Sequence, residues 1–145
     1  MMHKNDSALF FLCSLIEYIG RRQKRRRGEV VDALGDETLR RIYTYADTLH
    51  CEPMDQVADR FISLCDIHEG EYDNVLACRY EVQDYWTIGE VYERLIEDVS
   101  GEDAVRTLKD VYGSWIDEKI SDYNTDFYYQ SREYVRECYL AGEIL

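Results

Sequence analysis

The sequence predicts an all-α protein that folds as a single compact domain of six to seven helices, spanning residues 1–145. One proline and eight glycines occur among the 145 residues. The glycines fall between segments whose apolar residues recur at three- and four-residue steps, which is the spacing of one helix face. Hydrophobic side chains make up 46% of the chain and charged ones 32%, as is typical of a globular protein. The length suits one domain, and no linker or internal repeat divides the chain.

Three helices are predicted before Pro53. The first covers about Ser7–Arg25, and the Ser7 hydroxyl can cap its first turn. A short second helix covers 29–34 and ends at Gly35, after which Asp36 caps a third helix. The apolar stripes are Leu9, Leu12, Cys13, Leu15, Ile16 and Ile19 in the first helix, and Leu39, Ile42, Tyr43, Ala46 and Leu49 in the third.

A fourth helix is predicted to begin at Pro53, because proline suits the first position of a helix, and to stop near Gly70. The pattern over residues 72–85 permits either a helix or a short extended piece. Thr87 and Glu90 form a capping box, in which each side chain satisfies a backbone N–H at the helix start. A fifth helix is therefore predicted to begin there.

The last third of the chain predicts two more helices, separated by a loop. Ser100 begins a helix that runs to Ile120, with acidic residues in its first turn, where the helix dipole favours them. Residues 121–129 are polar and rich in tyrosine, which favours a loop. A final helix covers about Ser131–Leu140 and closes at Gly142.

The apolar run at residues 8–19 is interpreted as a buried helix. A signal peptide carries its basic residues before the apolar run, whereas here they follow it. The run is also shorter than the ~20 residues of a membrane span, and Glu17 interrupts it. The protein is therefore expected not to bind a membrane.

The cysteines predict a reducing compartment. Their number is odd and no pair has the C-x-x-C spacing, whereas a secreted disulfide framework favours an even count in a shorter chain. We therefore expect buried free thiols in a reducing cytoplasm. The five are Cys13, Cys51, Cys65, Cys78 and Cys138.

The net charge of −13 divides into two unequal parts. Residues 1–27 carry seven basic and two acidic side chains, a net +5, while residues 28–145 carry ten basic and 28 acidic side chains, a net −18. The basic block either binds phosphates, nucleic acid or an acidic partner, or is neutralised by the acidic remainder of the fold. It consists of Arg21, Arg22, Lys24, Arg25, Arg26 and Arg27.

The acidic remainder also has two interpretations, and neither involves catalysis. It is either a solvated face or an imitation of a phosphate backbone that occupies a nucleic-acid channel.

No phosphate-binding glycine loop or serine elbow is present. His50, Cys51, Cys65 and His68 lack the spacing of zinc ligands. We therefore expect no enzyme activity, no cofactor and no metal.

Tyrosines cluster toward the C-terminal end and predict a contact surface for a protein with a basic surface. Tyrosine offers a large contact area at low entropic cost and is enriched at interfaces. The alternative is that the rings cover helix ends with their hydroxyls in water. The predicted contact residues are Tyr123, Asp126, Tyr128, Tyr129 and Tyr134.

Several short sequence segments resemble those of a known family. They are ALFFLCSLIEYIGR, VVDALG, IYTYADTLHCEP, VADRFI and YYQSREYVRECYLAGEIL. They resemble an uncharacterised family of small bacterial helical proteins, most often from anaerobic Gram-positive species, encoded beside a protein that looks like an ADP-ribosyltransferase-type toxin. The resemblance implies a toxin–antitoxin-like or defence-related module and assigns no functional residue. The basic stretch at 21–27 is more heavily charged than the family pattern.

The leading functional hypothesis is a non-enzymatic, antitoxin-like or inhibitory protein that binds another protein through its acidic, tyrosine-rich surface. The first alternative is an acidic nucleic-acid mimic that blocks a defence nuclease, as some anti-CRISPR proteins do. The second alternative is a nucleic-acid binder that uses the basic block at residues 21–27. The oligomeric state is left open.

Overall fold

The structure, a computed structural model, describes residues 6–145. The all-α prediction is confirmed: residues 6–145 form nine α-helices and one 3₁₀ turn, with no strand. The predicted number of six to seven helices is too low, because the four-residue helix at 74–77 gave no periodic signal, Tyr45 separates residues 46–49 from the helix before them, and Gly113 divides a predicted helix. The elements are α1 (Ser7–Gln23), α2 (Arg27–Thr44), α3 (Ala46–Leu49), α4 (Met54–Leu64), α5 (Asn74–Ala77), α6 (Tyr85–Val99), α7 (Ala104–Tyr112), α8 (Ile116–Ile120), the 3₁₀ turn (Phe127–Tyr129) and α9 (Arg132–Ala141).

Helix α1 is the centre of the fold. Between Leu9 and Gly20 all its residues are buried except Phe10 and Tyr18, which are half-buried. The helix packs most extensively against α6, and also against α2, α3 and α4. This placement explains why the run is apolar on nearly every side. Within residues 6–145, no helix combines the length and apolar character that a membrane crossing requires.

Three helices are capped one to three residues away from the predicted caps, because aspartates take the capping role. Asp6 Oδ1 accepts from the backbone N–H groups of residues 8 and 9 at 3.0 and 3.1 Å. Asp84 caps α6 and Asp103 caps α7 in the same way. The predictions that used Ser7, the pair Thr87 and Glu90, and Ser100 were therefore wrong. An aspartate caps as well as serine, and its charge also suits the positive end of the helix dipole.

Other boundaries follow from backbone conformation. Gly35 lies inside α2 with φ 77° and ψ 163°, a region open essentially to glycine alone. The predicted helices on either side of Gly35 are thus the two arms of one kinked element. Helix α4 ends at Leu64, short of the predicted Gly70. The last helix is close to its prediction: Ser131 caps its start, and Gly142, with φ 78°, ends it.

Candidate protein-binding surface

The basic block does not form one surface patch, because Arg27 is fully buried. Its Nε donates to Glu17 Oε1 at 2.9 Å and its Nη2 donates to Glu17 Oε2 at 3.1 Å. Nη2 also donates to Asn74 Oδ1 at 2.9 Å, and Nη1 donates to the carbonyl of Arg25 at 2.8 Å. The placement of Arg27 in a surface patch is therefore corrected, since its guanidinium is used inside the fold.

Tyr123 belongs to the same buried cluster, and its assignment to a contact surface is also corrected. Only 4% of Tyr123 is exposed, and its hydroxyl donates to Glu17 Oε2. Arg21 Nε contributes a further bond to that oxygen at 2.8 Å. Burial by itself would raise the pKa of Glu17, but the charges of Arg27 and Arg21 and the bond from Tyr123 hold it down at about 2. Glu17 is thus a buried carboxylate with its partners supplied by three elements.

Most of the remaining basic block is engaged with nearby groups. Arg22 pairs with the carboxylate of Asp59. Arg25 Nε donates to the carbonyl of His68 at 2.8 Å, and its guanidinium lies 3.8 Å from a Glu29 oxygen. Two members, Lys24 and Arg26, have no carboxylate within ion-pair distance in residues 6–145, and Arg26 lies 4.4 Å from the centre of the Tyr72 ring. The basic side chains of residues 21–27, which are neighbours in sequence, are thus dispersed over the fold.

The 3₁₀ turn presents the tyrosines that remain available. Phe127 is buried and anchors the turn, while Tyr129 is 67% exposed. Tyr128 is half-buried and meets Tyr129 edge-on, with ring centres 5.1 Å apart. Asp126 is exposed, and Tyr134 is half-buried and donates to the carbonyl of Leu145 at 2.5 Å. Four of the five predicted contact residues thus lie at or near the surface.

A groove of about 440 Å³ lies between α6, α9 and the 3₁₀ turn. Its apolar side chains are Val91 and Leu95 from α6 and Val135 from α9. The rings of Tyr128 and Tyr129 stand at one side. Polar side chains make up six of the eleven residues that line the groove. They are Gln83, Thr87, Glu90, Arg94, Gln130 and Arg132.

The charges inside this α6–α9 groove are internally paired. Arg94 lies 3.3 Å from Glu90. Arg132 bridges two carboxylates of α6, at 2.7 Å from Asp98 and 2.9 Å from Glu97. The groove itself is therefore close to neutral, and it presents polar side chains together with apolar and aromatic ones.

Acidic groups lie on the other side of the 3₁₀ turn. A depression of about 420 Å³ there is lined by Asp122, Asp126, Phe127 and Tyr134, and also by Lys119. A second, of about 450 Å³, is lined by Asp126, Tyr128 and Tyr129 among others. The turn thus separates a nearly neutral groove from an acidic surface, and a partner that spans it meets both.

Sequence reasoning found the tyrosines but missed the groove, because its walls come from segments about forty residues apart. Residues 91 and 95 share one face of α6, and this face was assigned only to the core.

In residues 6–145 no group of three or more histidine, cysteine, aspartate or glutamate side chains is arranged to hold a metal ion. Comparison with family models, with curated proteins and with solved structures found no match to this chain.

Proposed function

We propose that this protein is a non-enzymatic, antitoxin-like inhibitor that binds another protein through the 3₁₀ turn and the α6–α9 groove. The observation that supports it is the pair of rings, Tyr128 and Tyr129, between the α6–α9 groove and an acidic surface. Aromatic side chains in such a position are typical of the residues that dominate binding energy at interfaces. The groove accepts an apolar side chain of the partner, and the acids at the turn attract its basic groups.

The charge of the chain supports a partner with a basic surface. A net −13 accelerates encounter with a positively charged protein, and this acceleration weakens as salt screens the charges. The resemblance in sequence suggests where to look, since the family's genes lie beside a gene for an ADP-ribosyltransferase-like protein. We therefore propose the product of the neighbouring gene as the partner.

The direct test is to purify both proteins and measure their association. We expect a complex whose association rate falls as salt is raised, and in which the partner's activity is inhibited. Replacing Tyr129 with alanine is expected to weaken the complex by about 2 kcal/mol, a typical loss for a tyrosine at the centre of an interface. Tyr45→Ala is a matched control, because Tyr45 is 59% exposed and lies between α2 and α3. The absence of a complex at low salt, or equal losses in both variants, would contradict the proposal.

An acidic nucleic-acid mimic is the second candidate, favoured by the acidic depressions around Asp122 and Asp126. A mimic should compete with DNA or RNA for the channel of a nuclease, whereas an antitoxin should not. Competition measured with labelled nucleic acid separates the two. Nucleic-acid binding through the basic block rests on Lys24 and Arg26 alone, and nothing in the structure favours it.

A further inference from the structure

A second cluster of aromatic side chains lies at the start of α6, and its members are not among the residues that line the groove. Trp86 is at its centre. Its ring centre lies 5.4 Å from that of Phe10, 5.4 Å from that of His50 and 5.1 Å from that of Tyr85. Tyr85 in turn meets Tyr18 edge-on at 5.0 Å. These five residues, contributed by α1, α6 and the end of α3, are called the aromatic face below.

The aromatic face is accessible to a ligand. His50 is exposed, and the other four rings are half-buried. Trp86 and His50 lie with their planes 30° apart, close to a stacked arrangement. A layer of rings that the core covers only in part offers flat apolar surface to solvent, and such surfaces commonly mark interaction sites.

Three aspartates lie on the segments that form the aromatic face or pack against it. Asp84 precedes Tyr85 in the chain, and its carboxylate caps α6. Asp47 lies one turn before His50 and is exposed. On the α4 side, Asp55 is close enough to Tyr18 to affect its hydroxyl: burial raises the pKa of Tyr18, Arg22 opposes this, and Asp55 adds to it. Asp47 and Asp55 have no ion-pair partner among residues 6–145, so their charge is available to a ligand.

Arg21 and Arg22 are the nearby cations. Arg21, whose Nη2 donates to the carbonyl of Gln83 at 2.7 Å, is already paired with Glu17, and Arg22 is paired with Asp59. The surroundings of the aromatic face are therefore negative overall. A ligand that fits must place a positive charge against flat rings while pairing with carboxylates at the edge. A guanidinium does both, because it is planar, weakly hydrated, stacks on aromatic faces and forms two parallel bonds to a carboxylate. A lysine ammonium is a compact, strongly hydrated charge and suits the rings less well.

We propose that the aromatic face binds an arginine-bearing segment of a partner protein, with a guanidinium stacked on Trp86 and paired with Asp55 or Asp47. This site is separate from the α6–α9 groove and does not depend on the function proposed above. It provides the protein with a second contact for a basic partner.

The test uses a fluorescently labelled peptide with repeated arginines, together with a matched peptide in which each arginine is replaced by neutral citrulline. Binding to the full chain is followed by fluorescence anisotropy at low salt. We expect saturable binding of the arginine peptide, weaker binding of a lysine peptide and no binding of the citrulline peptide. Trp86→Leu keeps an apolar side chain and is expected to reduce affinity about tenfold, as for a partly desolvated cation–π contact.

A charge-matched pair of double variants separates a local site from general attraction. Asp47→Asn with Asp55→Asn removes two charges beside the aromatic face, whereas Asp32→Asn with Asp110→Asn removes two exposed charges elsewhere. We expect the first pair to weaken binding at least about threefold more than the second, from two local charge pairs. Equal effects, or equal affinity for the arginine and lysine peptides, would overturn the proposal.

Two further measurements make the result decisive. Tyr129→Ala leaves the aromatic face intact, so it should bind the arginine peptide normally even where it abolishes the complex proposed above. Sedimentation over a range of concentrations tests whether a second copy of the chain covers Trp86 instead. A dimer that Trp86→Leu disrupts would overturn the arginine proposal, and a monomer at all concentrations agrees with it.

Discussion

Glu17 and Arg27, ten residues apart in sequence, form a fully buried two-bond ion pair that joins α1 to the first residue of α2. Both side chains have no exposed surface. Removing two charges from water is costly, and the interior offsets this cost only when every remaining donor and acceptor is satisfied. Here Arg21, Tyr123 and Asn74 complete the bonds.

Removing one partner of this pair should be strongly destabilising. We expect Arg27→Met to lower the free energy of unfolding by about 3–5 kcal/mol, because it leaves Glu17 charged and buried without its main partner. Urea denaturation followed by circular dichroism measures the change. Arg106→Met is the matched control, since Arg106 is an exposed arginine of α7, and it should change stability by less than about 0.5 kcal/mol. Combining Arg27→Met with Glu17→Leu should recover part of the loss, and a purely additive result would contradict this explanation.

Glu17 should also determine part of the acid denaturation. Its pKa is about 2 in the folded protein, compared with 4.5 for an ordinary glutamate. A lowered pKa contributes stability that is present above about pH 4.5 and is lost as the pH falls through 2. The loss should be absent in Glu17→Gln, whose starting stability is lower. Unfolding free energies measured at intervals below pH 5 test this, and parallel curves for the two proteins would refute it.

Glu93 should make stability depend on pH in the opposite direction from Glu17. It is 1% exposed. Burial, then the charge of Glu97 and a hydrogen bond with it, raise the pKa of Glu93 to about 8, while Arg132 opposes the shift. A raised carboxyl pKa means that the folded state holds its proton more tightly. Stability should therefore decline as the pH rises from about 4.5 to 8.

The variant Glu93→Gln tests this without removing the volume of the side chain. The free energy of unfolding of this variant should lack the pH dependence that Glu93 causes. Near pH 8.5 it should exceed that of the native protein by on the order of 2 kcal/mol. Thermal melts across pH 5–9 measure the difference. Glu133→Gln, on an exposed glutamate of α9, is the control. A pH dependence shared by all three proteins would exclude Glu93 as the cause.

The crossing of α1 and α6 should not tolerate a larger side chain. A Cβ at Gly89 would lie 2.4 Å from Ser14 Oγ and 2.8 Å from Ser14 Cα. We expect Gly89→Ala to reduce stability by about 2 kcal/mol, because the backbone of α1 must move, even though alanine favours a helix more than glycine does. Gly101→Ala, which meets nothing within 4 Å, should be nearly neutral. Denaturant unfolding of both variants decides the point.

The thiols should react in the order of their exposure. Cys51 is exposed, whereas Cys13 and Cys138 are buried. Burial strongly raises the pKa of the Cys13 thiol, and only the thiolate is reactive. An aromatic disulfide reagent should modify Cys51 rapidly in the native protein and Cys13 only after unfolding. Mass spectrometry of the labelled peptides identifies the site, and early labelling of Cys13 would contradict the buried position of α1.

Much of the helical content could be predicted from periodicity. The stripes of the first, third and last helices, and the glycines at 35 and 142, depend on local spacing and local backbone conformation. The four-residue helix α5 could not be predicted in this way, because one turn carries no periodic signal, whereas α3 was predicted as the end of a longer helix. Contacts with the rest of the chain hold α5, since Asn74 accepts from Arg27 and donates to the carbonyl of Ser121. The cap at Asp6 was missed for a different reason, since both Asp6 and Ser7 suit the position.

The sequence by itself determined an all-helical chain with a buried first helix, one dominant sign of charge and a tyrosine-rich segment near its end. It could not determine where each charge lies. Glu17 was an interruption in an apolar run, and Arg27 was the last member of a basic block. Only the tertiary structure joined them, because a buried charge is stable only beside partners that the fold brings from other elements. The same packing buried Tyr123, exposed Tyr129, and formed a groove from two helices whose lining residues lie far apart in sequence.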